Sequence, residues 1–244
     1  MRILGDYHTH TTYSHGLGSI EDNVKAALEK GLKVIAITDH GFGHLGFGVK
    51  KYRFKDMRRE IDALKSVYPQ IDILLGVEAN LLSIDGDLDL DDSILPYFDI
   101  LICGYHFGST LKNWWRDAPL HLCNMLKKVH PYFYEKAKQF NTRALIGAMD
   151  KYPLFFISHP GAKGPIDVKK VARKAFEKNV LLEINNSHGH LTVKDILLAK
   201  GENAKFIINS DAHHPSRVGT FELSLERAAL SGLEAQDIFN ASVL

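Results

Sequence analysis

Short apolar, β-branched runs recur along the chain at residues 2–6, 33–38, 71–77, 98–103, 154–158, 180–184 and 205–209, with longer stretches of helical periodicity between most of them. Seven candidate strands alternating with helices form a βαβα pattern, which favours a mostly parallel sheet or barrel. Ser19 with Asp22 three residues on offers a helix N-cap, Val24, Ala27 and Leu28 form an apolar stripe, and Gly31 can end that helix. Further helices are expected over about 54–67, 120–140, 168–178, 192–199 and 222–240. Within them, Pro131 either starts a new helix or kinks one, and Gly232 breaks the last. The segments 41–49 and 83–92, rich in Gly or acids, read as surface βα connections. No repeat, low-complexity tract or linker divides the chain, so a single domain over 1–244 is expected.

The polar residues that follow these runs change the picture. His8 and His10 end the first run beside Asp6, and His15 follows in a short loop. His40, Glu78, His106 and His159 each stand just past a later run, and the last run leads into Asp211 and His213. Side chains alternate on a strand, so two imidazoles two residues apart can converge on one divalent ion. In a parallel α/β barrel the C-terminal strand ends share one face, and residues distant in sequence meet there. Seven histidines and two carboxylates are too many for one tetrahedral ion and suit two or three, with Glu78 or Asp211 bridging.

Composition narrows the partners. Thirty basic against 29 acidic side chains leave a net charge of +1, and basic runs are no longer than pairs such as Arg58-Arg59, so no extended nucleic-acid surface is expected. No stretch approaches the roughly 18 apolar residues of a membrane span, and no secretory leader precedes the first motif, which makes the cytoplasm the expected location. Cys103 and Cys123 lack metal-site spacing and read as small core residues. Three divalent ions with only two carboxylates among their ligands would attract hydroxide or an anionic substrate, and phosphate fits that requirement.

The order and context of these residues resemble a known family. Asp6-x-His8-x-His10-Thr11 with His15, Thr38-Asp39-His40, Gly76-x-Glu78, Tyr105-His106, Ser158-His159-Pro160, and Ser210-Asp211-Ala212-His213 with Pro215 and Val218-Gly219 are similar to the PHP (polymerase and histidinol phosphatase) family. The likeness is greatest to its single-domain phosphoesterases of the YcdX type. The resemblance implies a distorted (β/α)7 barrel that hydrolyses phosphate esters with bound zinc, manganese or iron. It also implies three ion sites: His8, His10, Glu78 and Asp211; Glu78, His106 and His159; and His15, His40 and His213.

Other residues carry weaker expectations. Asp6 and Asp39 are candidates to accept an imidazole N–H, with a capping or surface role as the alternative. Glu183, at the end of the sixth run, is a candidate catalytic group that orients water or a ligand histidine, alongside Asp211 and His213. Arg217 and Lys163 are candidates to hold phosphate, against ordinary surface ion pairs. His188 and His190 lie beside the expected mouth, and Trp114-Trp115-Arg116 could wall the pocket from a loop. His44, His121, His130 and His214 have lesser claims.

The expected activity is that of a metal-dependent phosphoesterase, most simply a phosphomonoesterase acting on a small phosphorylated substrate through metal-activated water. The alternatives are a 3′-5′ exonuclease or phosphodiesterase, a histidinol-phosphate phosphatase, and a noncatalytic regulatory module that keeps the ligands. Amidohydrolase-like enzymes also begin with His-x-His, but they usually need a bridging lysine at a strand end, and none occupies such a place here.

Overall fold

The computed structural model describes residues 1–243. Strand β1 (Arg2–Ile3) pairs antiparallel with β9 (Ala241–Ser242), forming a small two-stranded sheet from the two ends of the chain. The remaining strands are β2 (Gly5–Asp6), β3 (Val34–Ile37), β4 (Asp72–Asn80), β5 (Ile100–Gly104), β6 (Phe156–Ile157), β7 (Leu181–Asn185) and β8 (Phe206–Asn209). They lie side by side in sequence order in one seven-stranded parallel sheet. The helices are α1 (Ile20–Glu29), α2 (Arg53–Val67), α3 (Trp114–Leu126), α4 (Pro131–Lys151), α5 (Val168–Lys178), α6 (Val193–Lys200) and α7 (Glu222–Leu230).

The sheet closes on itself just beyond β2 and β8. Thr9 bridges Ala212 in parallel, the His10 amide donates to the Ala212 carbonyl at 2.8 Å, and the Ala212 amide donates to the His8 carbonyl at 3.3 Å. Below that bridge the Asn209 side chain takes a strand's place, its Oδ1 accepting from the Tyr7 amide at 2.9 Å. The result is the nearly closed seven-stranded barrel with surrounding helices.

Alternation along the strands separates two apolar regions. Tyr7, Ala36, Ile102, Phe156 and Ile207 form one cluster, whereas Ile35, Ile37, Ile73, Leu75, Phe206 and Ile208 join the larger cluster that includes residues of the helices. The five-residue cluster plugs the lumen and leaves the C-terminal rim to polar side chains.

Several elements differ from expectation. The run 2–6 is two short strands, because the Leu4 amide donates to the Asn240 carbonyl while the Leu4 carbonyl accepts from Lys33. The single helix expected over 120–140 is two, with Pro131 opening α4 and His130 capping it through Tyr132 N–H. Trp114-Trp115-Arg116 is no loop but the first turn of α3, capped by Asn113, whose Oδ1 accepts from the Arg116 amide. The final helix stops at Leu230, where Gly232 adopts φ +62°, and a short 3₁₀ turn leads to β9.

Candidate active site

Parallel strands that end on one rim bring the nine ligand-type side chains together. Glu78 is their centre. Its Oε1 lies 2.9 Å from His159 Nε2, 3.2 Å from His106 Nε2 and 3.4 Å from His8 Nε2. Its Oε2 lies 3.1 Å from His40 Nδ1 and 3.7 Å from His10 Nε2. Asp211 is the second hub, with Oδ1 at 3.3 Å from His10, 3.6 Å from His8 and 3.5 Å from His213. The His15 ring comes over the rim to within 4.3 Å of the His213 ring and 4.9 Å of the His40 ring.

These side chains fit divalent metal ions. The Nε2 atoms of His8 and His10 face each other at 3.1 Å, and those of His106 and His159 at 3.2 Å. Zinc–nitrogen bonds of 2.0–2.1 Å in a tetrahedron place ligand atoms about 3.3 Å apart, so such spacings suit neighbours on one ion. His10 Nδ1, His15 Nδ1, His40 Nδ1 and Glu78 Oε1 are also buried without a hydrogen-bond partner, an arrangement that costs free energy unless something else satisfies it.

The donor atoms converge as four sets: His10, His15, His40 and His213; His8, His10 and Asp211; His40, Glu78 and His106; and His159, His188 and Asp211. They overlap the three sites implied by the resemblance without reproducing their partition. His188, expected only to touch substrate, stands among ligand-type groups, with Nε2 at 3.3 Å from Asp211 Oδ2.

Burial and neighbouring charge set the protonation states. Burial raises the Glu78 carboxyl, but the imidazoles of His106, His8 and His40 outweigh it and hold the group well below the usual range. Asp211 is likewise held well below, with His8 and His10 opposing its burial. Burial lowers His10 well below the ordinary imidazole value, His15 to about 4 and His106 to about 3. His8 departs the other way. Burial would lower it, yet Glu183, Asp211 and Glu78 together raise it well above the usual value.

The surroundings fix the rings. Glu183 is fully buried and accepts from His8 Nδ1, Asn209 Nδ2, Asn185 Nδ2 and the His159 amide, between 2.6 and 2.9 Å. It does not line the pocket but meets the His8 ring, the ligand-orienting half of the expectation for it. Asn80 Oδ1 meets His106 Nδ1 at 2.8 Å. Asp6 and Asp39 bind no imidazole. Asp6 accepts from Ser210 and the Gly219 amide, and Asp39 from Thr11 and Ser14, so each clamps a ligand-bearing loop. Burial pushes the Asp6 carboxyl up to about 6 against those donors.

Backbone geometry is also unusual here. His159 and Asp211 have φ of +29° and +55°, a left-handed region uncommon for residues with a side chain and concentrated at functional sites. A Cβ on Gly104 would lie 2.4 Å from Ser158 Oγ and 3.0 Å from the His159 ring, so glycine leaves room for that imidazole.

The open mouth above the cluster is a pocket of about 350 Å³. Lys163 and His188 line it. Arg116 and Arg217 do not. Arg116 pairs with Asp85, Asp87 and Asp117 on the outside of α3, and Arg217 is exposed in a 3₁₀ turn. Trp114 and Trp115 project to solvent and form no wall over the pocket. Conversely, His44, Phe47 and Phe107 line the mouth. His44 had drawn only a slight expectation and the two phenylalanines none, because nothing in their local sequence shows that the loops after β3 and β5 fold together.

Comparison with known proteins agrees with this geometry. The PHP domain family matches residues 6–187. A probable phosphatase of Shewanella loihica is 31% identical over 93% of this chain and 84% of its own length. The DNA polymerase/3′-5′ exonuclease PolX of Bacillus subtilis is 28% identical over the whole of this chain, which spans 40% of that protein. Histidinol phosphate phosphatase from Lactococcus lactis, solved with zinc, L-histidinol and phosphate, shares the fold at a TM-score of 0.62 and 17% identity, over 95% of this chain and 94% of that one. Sequence, barrel and ligand-type cluster agree: the chain belongs to the PHP family and is a metal-dependent phosphoester hydrolase.

Proposed function

We propose that the chain is a phosphomonoesterase that acts as a single domain, holds three divalent ions, zinc before manganese or iron, and hydrolyses a small phosphate ester. The observation that carries this reading is Glu78, one carboxylate within 3.7 Å of five imidazoles on the floor of one pocket. The residues that would hold the ions are His8, His10, His15, His40, Glu78, His106, His159, Asp211 and His213, with His188 as an additional donor. Such ions, when bound, lower the pKa of water towards about 7 and neutralise charge on phosphoryl and leaving-group oxygens.

The chain's own groups do the rest. Glu183 and Asn80 hold His8 and His106 with Nε2 turned to the pocket. Lys163 presents the mouth's ammonium to a phosphoryl oxygen, and the apolar plug below excludes water from the barrel. Of Asp211 and His213, side by side at 3.5 Å, we assign His213 to carry a proton to the leaving oxygen, with Asp211, held deprotonated, as the carboxylate beside it.

Phosphate release from a panel of monoesters tests the proposal, comparing metal-loaded protein with protein stripped by chelator. Release that needs metal and disappears in His8→Ala is expected. A fully metallated protein that releases none contradicts it. The match to part of PolX supports a second reading, removal of nucleotides from a 3′ end. Mononucleotide release from short single strands, with binding that weakens steeply with salt, would favour that reading over the first.

A further inference from the structure

The mouth of the pocket is chemically lopsided. On one side Phe47 stacks on His15, with ring centroids 4.4 Å apart and planes at 21°, and on His44, at 4.9 Å and 19°. His40 lies at 19° to His15 and 25° to His44, so four rings form a wall of nearly parallel planes. Phe107 lines the same pocket. Both phenylalanines remain open to solvent, Phe47 at 45% and Phe107 at 58%. Lys163 and His188 supply the polar part of the mouth.

The aromatic side is held in place. The loops carrying Phe47 and Phe107 are joined by an antiparallel bridge between His44 and Ser109, and by hydrogen bonds from Leu45 to Gly108 at 3.1 Å and from Thr110 to Gly43 at 2.7 Å. The first loop folds so tightly that a Cβ on Gly48 would lie 2.7 Å from the His44 carbonyl. His121, linked to Tyr105 Oη and to the Ser109 carbonyl at 2.9 Å each, pins the second.

Resting on the phosphoesterase reading for what lies at the metal end, we propose that this ring wall receives the leaving group and selects phosphate monoesters of planar, unsaturated groups over those of saturated sugars and polyols. The phosphoryl group lies over the ligand cluster beside Lys163, and the plane of the leaving group lies against Phe47 with Phe107 at its edge. Aromatic pairs gain stabilisation beyond that of the area they bury, and a fixed ring loses little entropy on stacking. A pocket of about 350 Å³ admits one such ring system with its phosphate.

Apolar bulk without planarity is the competing explanation, and phosphonates separate the two. Phenylphosphonate and cyclohexylphosphonate carry the same anion on six-membered rings, and neither has an ester bond to cleave. Zinc-loaded full-length protein is expected to bind the phenyl compound about tenfold more tightly, although cyclohexyl is the more hydrophobic. Phe47→Leu should erase the preference and Phe47→Tyr should keep it, with zinc content measured in each variant so that ion loss is recognised. Equal or tighter binding of the cyclohexyl compound, or a preference that survives Phe47→Leu combined with Phe107→Leu, overturns the proposal. A phenyl preference in a protein that hydrolyses no monoester leaves the ring subsite standing and removes the hydrolytic reading. Phosphate release without ring preference does the reverse.

Discussion

His8 Nδ1 lies 2.8 Å from Glu183 Oε1, and this pairing leaves His8 Nε2 turned towards Glu78 and Asp211. Because Glu183 receives four donors, no edge of it can become a donor without conflict. Glu183→Gln places an NH2 group against two of them, whichever oxygen it replaces. The variant is expected to fold and to lose about 10–100-fold in metal affinity, measured by competition with a chromogenic chelator. Unchanged affinity would show that Glu183 does not position His8.

Protonation of His8 gives metal binding a pH dependence of definite sign. Its raised pKa keeps it protonated near neutrality, whereas His10, His15 and His106, all lowered, are already neutral. Binding at pH 7 should therefore displace the His8 proton, and affinity should rise with pH until His8 deprotonates in the free protein. Calorimetry in buffers of different ionisation enthalpy counts the proton. No net proton release on binding would contradict a protonated His8.

Glu78→Gln removes the one charge shared by five imidazoles. At least one equivalent of metal should be lost, and phosphate release should fall by about a thousandfold or more. Metal content by mass spectrometry, read beside turnover, separates loss of ions from loss of chemistry. Full metal content with normal turnover would remove Glu78 from the site.

Asn209 joins the barrel seam to the site, accepting from the Tyr7 amide and donating to Glu183, both at 2.9 Å. Asn209→Ala leaves a buried N–H and a carboxylate oxygen short of partners. A loss of roughly 2–4 kcal/mol is expected from urea unfolding of the metal-free protein. A change below about 0.5 kcal/mol would mean that the seam does not depend on this side chain.

Arg116→Ala should leave turnover within about twofold of the native rate, because its guanidinium is engaged with Asp85, Asp87 and Asp117 outside the pocket. A large rise in KM would return Arg116 to the substrate path.

What the sequence made legible follows from the strands. Parallel strands carry their C-terminal ends to one rim, so His40, Glu78, His106 and His159 could be assigned to a common place from their position after apolar runs alone. The loops obey no such rule. Phe47 sits in the loop after β3 and Arg116 on the first turn of α3, and one faces the site while the other faces a carboxylate cluster, a difference set by pairings such as Leu45 with Gly108 and by the Asn113 cap. The break at Leu4 was hidden for a similar reason, since the bond that splits the run comes from Asn240 at the far end of the chain. Glu183 could be placed at the rim, but its enclosure by four donors depends on four separate strands and their flanks.

The seam that closes the barrel also sets a clock. Tyr7 and Asn209 are separated by 202 residues, and His8 and Asp211 flank them. At about 5–20 residues per second, a ribosome needs roughly 10–40 s to add the second half of the seam after the first has emerged. Throughout that interval the nascent chain exposes histidines without the carboxylate that completes their cluster. Hydrolytic competence is thereby deferred until Asp211 has been added.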